Sequence, residues 1–239
     1  MRYLLVGDVH GCVHTFQNFL KEHFDPKTET LIQLGDLVDR GHFIIETLDF
    51  CALLRKQYGE KAIFLLGNHE DAMQRYIRGE SDSWLQYGGA ETIEQFQSHH
   101  RDLSTALHWI DSLPVFLDLE HLFLSHAGKS VRPAEPGNLL DSNSLIWARG
   151  LLKNLGKPQV VGHSPLKKPF HVKESNTFYI DTGAVYGNAL AGVKLCFDRS
   201  GKLLNSQFCQ TLTVPKDFEG AAHLKREPHS FFDPCSLAQ

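Results

Sequence analysis

Five apolar runs in this chain each end in a Gly, Ser or Asp followed by a side chain able to hold a metal ion. Tyr3 to Val6 leads into Gly7, Asp8 and His10; Leu31 to Leu34 into Gly35 and Asp36; Ile63 to Leu66 into Gly67, Asn68 and His69; Leu122 to Leu124 into Ser125 and His126; Val160 and Val161 into Gly162 and His163. Asp8 and His10, two residues apart, face one side of an extended strand end. Asp36 has two oxygens with which to bridge a pair of ions, and Asn68, His126 and His163 complete the donors for a second ion. Mixed carboxylate, amide and imidazole donors suit Mn first, with Fe or Zn as alternatives. Carboxylates held this close repel one another, so the set makes physical sense mainly with cations among them.

Two divalent ions about 3.5 to 4 Å apart acidify a shared water and clamp both oxygens of an in-line phosphoryl displacement. The expected nucleophile is therefore hydroxide bridging the ions. Neither a GxSxG elbow nor a Walker-A GxxxxGK[ST] loop argues for a side-chain nucleophile or a P-loop. A leaving alkoxide still needs a proton. His69 stands next to Asn68 to give it, and Asp39, three residues after Asp36, is placed to fix the imidazole orientation and tautomer. Arg40 offers a planar guanidinium to two phosphate oxygens at once.

These residues need a scaffold that brings strand ends together, and the rest of the chain supplies one. Strand and helix patterns alternate through the first two-thirds, which predicts an α/β architecture whose strand termini share a crevice. Phe16, Phe19 and Leu20 set a helix over Cys12 to His23, and Ile44, Leu48, Cys51 and Leu54 set another after Gly41 with Gly59 as its stop. A third helix is expected near Glu70, and one further helix over Ala90 to Leu107. From Val115 the pattern turns to strands: Val115 to Leu119, Leu122 to Leu124, Val160 and Val161, Phe178 to Ile180, Gly192 to Phe197 and Phe208 to Val214. A hairpin is expected at Asp198 to Lys202. The expected domain organisation is one catalytic domain over residues 1–214 and an irregular C-terminal extension over 215–239.

Read together, GDVHG at Gly7 to Gly11, GDLVDRG at Gly35 to Gly41, GNHE at Gly67 to Glu70, SHAG at Ser125 to Gly128 and GHSP at Gly162 to Pro165 resemble the signature of calcineurin-type metallophosphoesterases. More narrowly they resemble the phosphoprotein phosphatase group. WLQYGG at Trp84 to Gly89, LIWAR at Leu145 to Arg149 and YIDTGAVYG at Tyr179 to Gly187 resemble its compact bacterial and bacteriophage branch. The resemblance implies a four-layer αββα sandwich with a dinuclear centre at the strand ends. By it, Asp8, His10 and Asp36 hold the first metal, and Asp36, Asn68, His126 and His163 the second. His69 is then the general acid paired with Asp39, and Arg40 and Arg149 bind phosphate. For Arg149 a surface ion pair is the alternative.

The resemblance also implies the substrate class, phosphoserine and phosphothreonine in proteins or a small phosphoester. Hydrolysis of dinucleoside polyphosphates such as Ap4A is the alternative on the same site. Symmetrical tetraphosphatases of this kind often depart from DRG and from the final Glu of GNHE, whereas Asp39, Arg40 and Glu70 are all present here. A non-catalytic module is disfavoured because every expected ligand is in place.

Composition excludes other classes. The 239 residues are 42% hydrophobic and 22% charged, enough for one substantial core, and 24 basic against 28 acidic residues give a net charge of −4. That balance predicts no nucleic-acid partner and no membrane surface. No apolar stretch reaches the roughly 20 residues of a spanning helix, and no signal-peptide pattern is present, so a cytoplasmic protein is expected. Its oligomeric state is open. The five cysteines are odd in number and never spaced CxxC, which predicts reduced thiols. Trp84 and Tyr87 read equally as an aromatic lip over the substrate or as core. Asp181 reads as an orienter of His163 or as a turn former, and Glu70 as a helix N-terminal acid.

Overall fold

The computed structural model describes residues 1–218; the rest of the expected extension, with His223, His229 and Cys235, lies outside the described residues. Two five-stranded mixed sheets form the frame. The first contains β1 (Arg2–Val6), β2 (Thr30–Gln33), β3 (Ala62–Phe64), β9 (Ala189–Phe197) and β10 (Leu203–Leu212), in the order β10-β9-β1-β2-β3. The second contains β4 (Phe116–Leu119), β5 (Leu122–Ser125), β6 (Gln159–Val161), β7 (Phe170–Val172) and β8 (Thr177–Tyr179), in the order β4-β5-β6-β8-β7. Strands β1, β2 and β3 run parallel, as do β5, β6 and β8.

Strand alternation divides the core. Leu5, Ile32 and Val193 of the first sheet pack with Leu122, Leu124, Val160 and Phe178 of the second, forming the layer between the sheets. Leu4, Val6 and Leu31 point the other way, onto Phe16, Phe19, Ile44, Ile45 and Leu54. Those last five come from α1 (Val13–His23) and α2 (Ile44–Tyr58). The remaining helices are α3 (Asn68–Ile77), α4 (Gly89–Ser98), α5 (Thr105–Asp111) and the single turn α6 (Pro215–Phe218). The outer face of the second sheet is covered differently. Val161 and Tyr179 are packed by Ala127, Ala148 and Leu152 from irregular chain between β5 and β6, so the fourth layer of the expected sandwich is coil among the described residues.

Three local expectations change. The helix expected over Ala90 to Leu107 is two helices, because the chain turns at His99 to Ser104, where His100 takes a left-handed φ of 53°. Strand β7, with all three residues half-buried, carries no alternation that a sequence window detects. Pro215–Phe218 is helical where irregular chain was expected. The Asp198 to Lys202 hairpin forms as read, with the Asp198 N–H donating to the Lys202 carbonyl at 3.0 Å. Cys12, Cys51, Cys196 and Cys209 are free thiols, and no helix of the described residues is long and apolar enough to cross a membrane.

Helix α1 has no side-chain cap of its own at Cys12. Asp217 provides one from about 200 residues away in sequence: its Oδ2 accepts the Thr15 N–H at 2.7 Å and the Thr15 hydroxyl at 2.6 Å, and its Oδ1 lies 2.7 Å from His14 Nδ1. A fully buried carboxylate therefore meets the positive end of α1 and ties the C-terminal turn to the domain. Asp217→Ala is expected to destabilise the fold by roughly 2 to 4 kcal/mol, read as a lower urea midpoint at unchanged m-value. An unshifted midpoint would show that the cap carries no net stability.

Candidate metal centre

All the motif residues lie just past the carboxyl ends of parallel strands, at one edge shared by the two sheets. Asp8 and His10 follow β1, Asp36 follows β2, Asn68 and His69 open α3 after β3, His126 follows β5 and His163 follows β6. Their backbone is unusual. His10, Asp36, Asp39, Arg40 and His163 all have positive φ, between 44° and 70°. Only two other non-glycine residues, His100 and Asn176, share that conformation among the described residues, so the strain is concentrated here. It is held by bonds between loops: the Val9 and His10 N–H groups both donate to the Asp36 carbonyl, at 3.0 and 2.9 Å. Gly41 must be glycine because a Cβ there would strike the His10 carbonyl.

Asp36 Oδ2 is the hub. His126 Nε2, His10 Nε2 and His69 Nε2 stand 3.3, 3.4 and 3.9 Å from it. On one side His10, Asp36 and His69 offer ligand atoms within 4.8 Å of one another, and on the other Asp36, His126 and His163 do the same. Asn68 joins the second group, its Oδ1 lying 2.8 Å from His163 Nδ1 and 2.9 Å from His126 Nε2, with those two nitrogens 3.1 Å apart. Neighbouring ligands of a six-coordinate ion with bonds of about 2.1 Å are separated by about 3 Å, so this spacing fits one divalent cation. His126 Nδ1 meets the Leu34 carbonyl at 2.9 Å and His10 Nδ1 the Val38 carbonyl at 2.7 Å, so in the neutral form that a cation requires each ring would donate from Nδ1 and turn its Nε2 lone pair inward.

Two expected partners sit differently from the sequence reading. The Asp8 carboxylate accepts the His163 N–H at 3.1 Å and belongs to neither three-residue cluster. Arg40 Nη1 lies 2.8 Å from His10 Nε2, so its guanidinium reaches the ligand cluster itself. Arg149 is exposed and makes no ion pair among the described residues, but its charge acts on both His69 and His163.

Electrostatics also favour a cation. Burial pushes the Asp8 carboxyl well up, and the charges of Asp181 and Asp36 add to this. Burial alone would raise Asp36 too, yet His126, His69 and His10 outweigh it and hold Asp36 well below the usual carboxylate range. His126 is driven to about 9: burial opposes its charge, and Asp36 and Asp8 prevail. Burial, together with His126 and Arg149, keeps His163 neutral. In the chain alone, positive charge for this carboxylate cluster comes from a proton on His126 and from Arg40. A divalent ion supplies more charge at the same place.

Next to the cluster stands a buried imidazole–carboxylate pair. His69 Nδ1 lies 2.6 Å from Asp39 Oδ2, which also accepts the Trp84 indole N–H at 2.8 Å, while Asp39 Oδ1 accepts the Thr92 hydroxyl at 2.6 Å. Burial raises Asp39 to about 8 against the pull of Thr92, Trp84 and Arg40. Burial and then Arg40 lower His69 to about 3, so the imidazole is neutral and its Nε2 faces Asp36.

Sequence reading missed Trp84 and Thr92 as holders of Asp39. The aromatic pair splits its two readings: Trp84 is fully buried, and Tyr87, 41% exposed, stands at the lip with its ring 6.3 Å from that of His69. Asp181 is a turn former, accepting the Gly183 N–H at 2.8 Å, and its charge also bears on Asp8. Glu70 does more than serve its own helix. Its carboxylate accepts four backbone N–H groups, from Gly67, Asp36, Leu37 and Val38, at 2.7 to 3.1 Å.

The model of the calcineurin-like phosphoesterase family matches residues 1–191. The chain belongs to that family. Among curated relatives, a serine/threonine-protein phosphatase 1 of Salmonella typhimurium is 31% identical over 78% of this chain and 88% of its own. An asymmetrical bis(5'-nucleosyl)-tetraphosphatase, PrpE, of Bacillus subtilis is 28% identical over 81% of this chain and 91% of its own. The fold is shared with a protein serine/threonine phosphatase of Saccharomyces cerevisiae, at a TM-score of 0.64 and 16% identity over 90% of this chain and 80% of that one. A metallophosphoesterase from Sphaerobacter thermophilus matches over 100% of both chains at a TM-score of 0.59 and 16% identity. Family and donor set together imply a divalent metal site in a phosphoric ester hydrolase of the calcineurin-like family.

Divalent metal should therefore stabilise this phosphoesterase. At a free concentration 100 times the dissociation constant, the gain is about 2.7 kcal/mol, seen as a rise in Tm over the chelator-treated protein. Asp36→Asn removes the charge of the hub oxygen and is expected to abolish that rise. A Tm insensitive to Mn²⁺, Fe²⁺ and Zn²⁺ would be incompatible with the site.

Proposed function

We propose that the chain is a phosphomonoesterase of the serine/threonine protein phosphatase type that uses two divalent ions, Mn first among the candidates. The observation that carries this reading is the meeting of four inward-facing donors, from Asp36, Asn68, His126 and His163, beside a buried His69–Asp39 pair. Asp36 would bridge the ions, with Asp8 and His10 on one side and Asn68, His126 and His163 on the other. Bound there, the ions would polarise the phosphoryl group and acidify the attacking water.

The protein's own groups do the rest. Arg40 and Arg149 supply guanidinium forks for phosphate oxygens. Asp39, held by Trp84 and Thr92, keeps the His69 ring in one orientation with Nδ1 toward the carboxylate. His69 Nε2 then faces the reacting group and hands a proton to the leaving oxygen. The negative charge of an arriving phosphate opposes the depressing influence of Arg40 on His69 and so favours its protonated form.

On this reading His69→Asn lowers kcat for p-nitrophenyl phosphate by about 10² to 10⁴-fold while the metal-dependent rise in Tm persists. Full activity in that variant would remove His69 from its role.

The tetraphosphatase relatives favour a second reading, Ap4A hydrolysis on the same site. A panel at fixed Mn²⁺ comparing phosphopeptides, nucleotides and Ap4A separates the two. The protein phosphatase reading expects the highest kcat/KM on phosphoserine or phosphothreonine peptides. Greater efficiency on Ap4A, followed through all nucleotide products, would reverse the order.

A further inference from the structure

Beyond Gly128 the chain forms a short two-stranded ribbon before it reaches β6. Ser130 and Leu152 make an antiparallel bridge, the Val131 N–H donates to the Leu151 carbonyl at 3.0 Å, and the Lys153 N–H donates to the Lys129 carbonyl at 2.8 Å. Opposed residues of such a ribbon share a face, and successive ones alternate. Leu152 accordingly packs inward on the second sheet, while Lys129, Val131, Leu151 and Lys153 are all exposed on the outer face, Val131 by 54% and Leu151 by 49%. The ribbon begins three residues after His126, and its returning strand starts two residues after Arg149. A recess of about 160 Å³ at its edge is lined by Val131, Leu151, Val172, Glu174 and Ser175.

This face breaks a rule of ordinary exposed ribbons. Like charges placed directly opposite, as Lys129 and Lys153 are, cost stability. Neither is neutralised: the lysine ion pairs of the described residues are made by Lys157 and Lys194. Of the nearby carboxylates, Asp141 accepts the N–H groups of Glu135 and Asn143, Glu135 accepts that of the Asn138 amide, and Glu174 lines the recess without an ion pair to either lysine. Residues 129–153 thus carry Lys129, Arg132, Arg149 and Lys153 against Glu135 and Asp141, in a chain whose net charge is −4. Between the two lysines and Arg149 lies an exposed aliphatic pair.

We propose that this outer face docks the flank of a phosphorylated peptide, Lys129 and Lys153 taking an acidic side chain and Val131 and Leu151 an apolar one. The proposal rests on the protein phosphatase reading and names the kind of phosphopeptide. Charge complementarity selects an acidic partner, and the aliphatic pair between the cations selects a peptide. A polyphosphate chain uses the lysines but leaves Val131 and Leu151 without a role.

The test compares kcat/KM for peptides bearing Asp-Leu, Ser-Ser or Lys-Lys beside phosphoserine, with p-nitrophenyl phosphate as the small reference. The enzyme is expected to favour Asp-Leu over Lys-Lys by about tenfold or more at low ionic strength, a preference that shrinks with salt. Lys129→Glu with Lys153→Glu should invert that order, and Val131→Ser with Leu151→Ser should raise KM for the Asp-Leu peptide several-fold. Turnover of p-nitrophenyl phosphate should stay within about twofold throughout. An unchanged peptide order in the charge-reversed enzyme overturns the proposal. So does a loss confined to Ap4A, which would assign the lysines to a polyphosphate chain.

If no phosphopeptide is hydrolysed, the protein phosphatase reading falls, and the docking face is judged on binding alone. Fluorescence anisotropy with a labelled Asp-Leu peptide bearing unphosphorylated serine then supports the face if charge reversal weakens binding. It overturns the face if the parent enzyme does not bind.

Discussion

One buried carboxylate organises the centre. Glu70 reaches back from the first turn of α3 to accept the N–H groups of Gly67, Asp36, Leu37 and Val38, while the His69 N–H donates to Asp36 Oδ1 at 3.1 Å. The α3 N-terminus and the loop after β2 therefore hold each other, and the hub carboxylate cannot move without breaking both. Each bond of this charge-assisted kind is worth more than a neutral one. Burial and the charge of Asp36 push Glu70 up to about 7 against the Asp36, Val38 and Leu37 N–H groups, so the arrangement is costly where it is not needed for position. Its purpose is geometric: it sets Asp36, and through the following residues Asp39 and Arg40, at one angle to the strand ends.

That geometry is bought with backbone strain. A left-handed non-glycine residue costs on the order of 1 to 2 kcal/mol, and five of them surround the site. The loops after β1 and β2 sustain it by pairing with each other, through Val9, His10 and Gly11 on one side and Asp36 and Leu37 on the other. Close approach removes slack as well. A Cβ on Gly67 would enter the Asp36 carboxylate, and one on Gly162 the Asp8 carboxylate, so these two glycines, each preceding a candidate donor, also fix donors from other strands.

The strand-end motifs were legible because their signals are local: an apolar run, a small residue and a donor occupy fewer than ten residues each. The parallel strands that align them were legible for the same reason, through alternating patterns. What supports Asp39 was not. Trp84 and Thr92 come from a 3₁₀ turn and from α4, and neither spacing nor residue type marks an indole or a threonine hydroxyl as the partner of a carboxylate some 50 residues earlier. Asp217 on α1 is the same case at longer range, and so is the difference between Tyr87 at the lip and Trp84 beneath it. The break between α4 and α5 was hidden by apolar residues on both sides of a polar turn that still read as one helical face.

The two sheets contribute unequally to the centre, and this has a functional consequence. The first sheet supplies Asp8, His10, Asp36, Asn68, His69, Asp39 and Arg40, on the loops after β1 and β2 and in the first turn of α3, where Glu70 and strained pairing hold them. The second supplies His126 and His163, from β5 and β6, and is joined to the first by His126 Nδ1 at the Leu34 carbonyl and by the His163 N–H at Asp8. A metal held by Asp36, His126 and His163 would clamp the two sheets at their common edge. Past His126, residues 129–153 are mostly irregular and lie on the outer face of the second sheet, where Ala148 and Leu152 pack on it, Gln159 bonds Lys129 and Lys153, and the Trp147 ring stands 6.0 Å from that of His163. On the proposed reading, substrate selectivity would lie in residues 129–153, Arg149 among them, while the donor set would be held by the strand-end loops of both sheets.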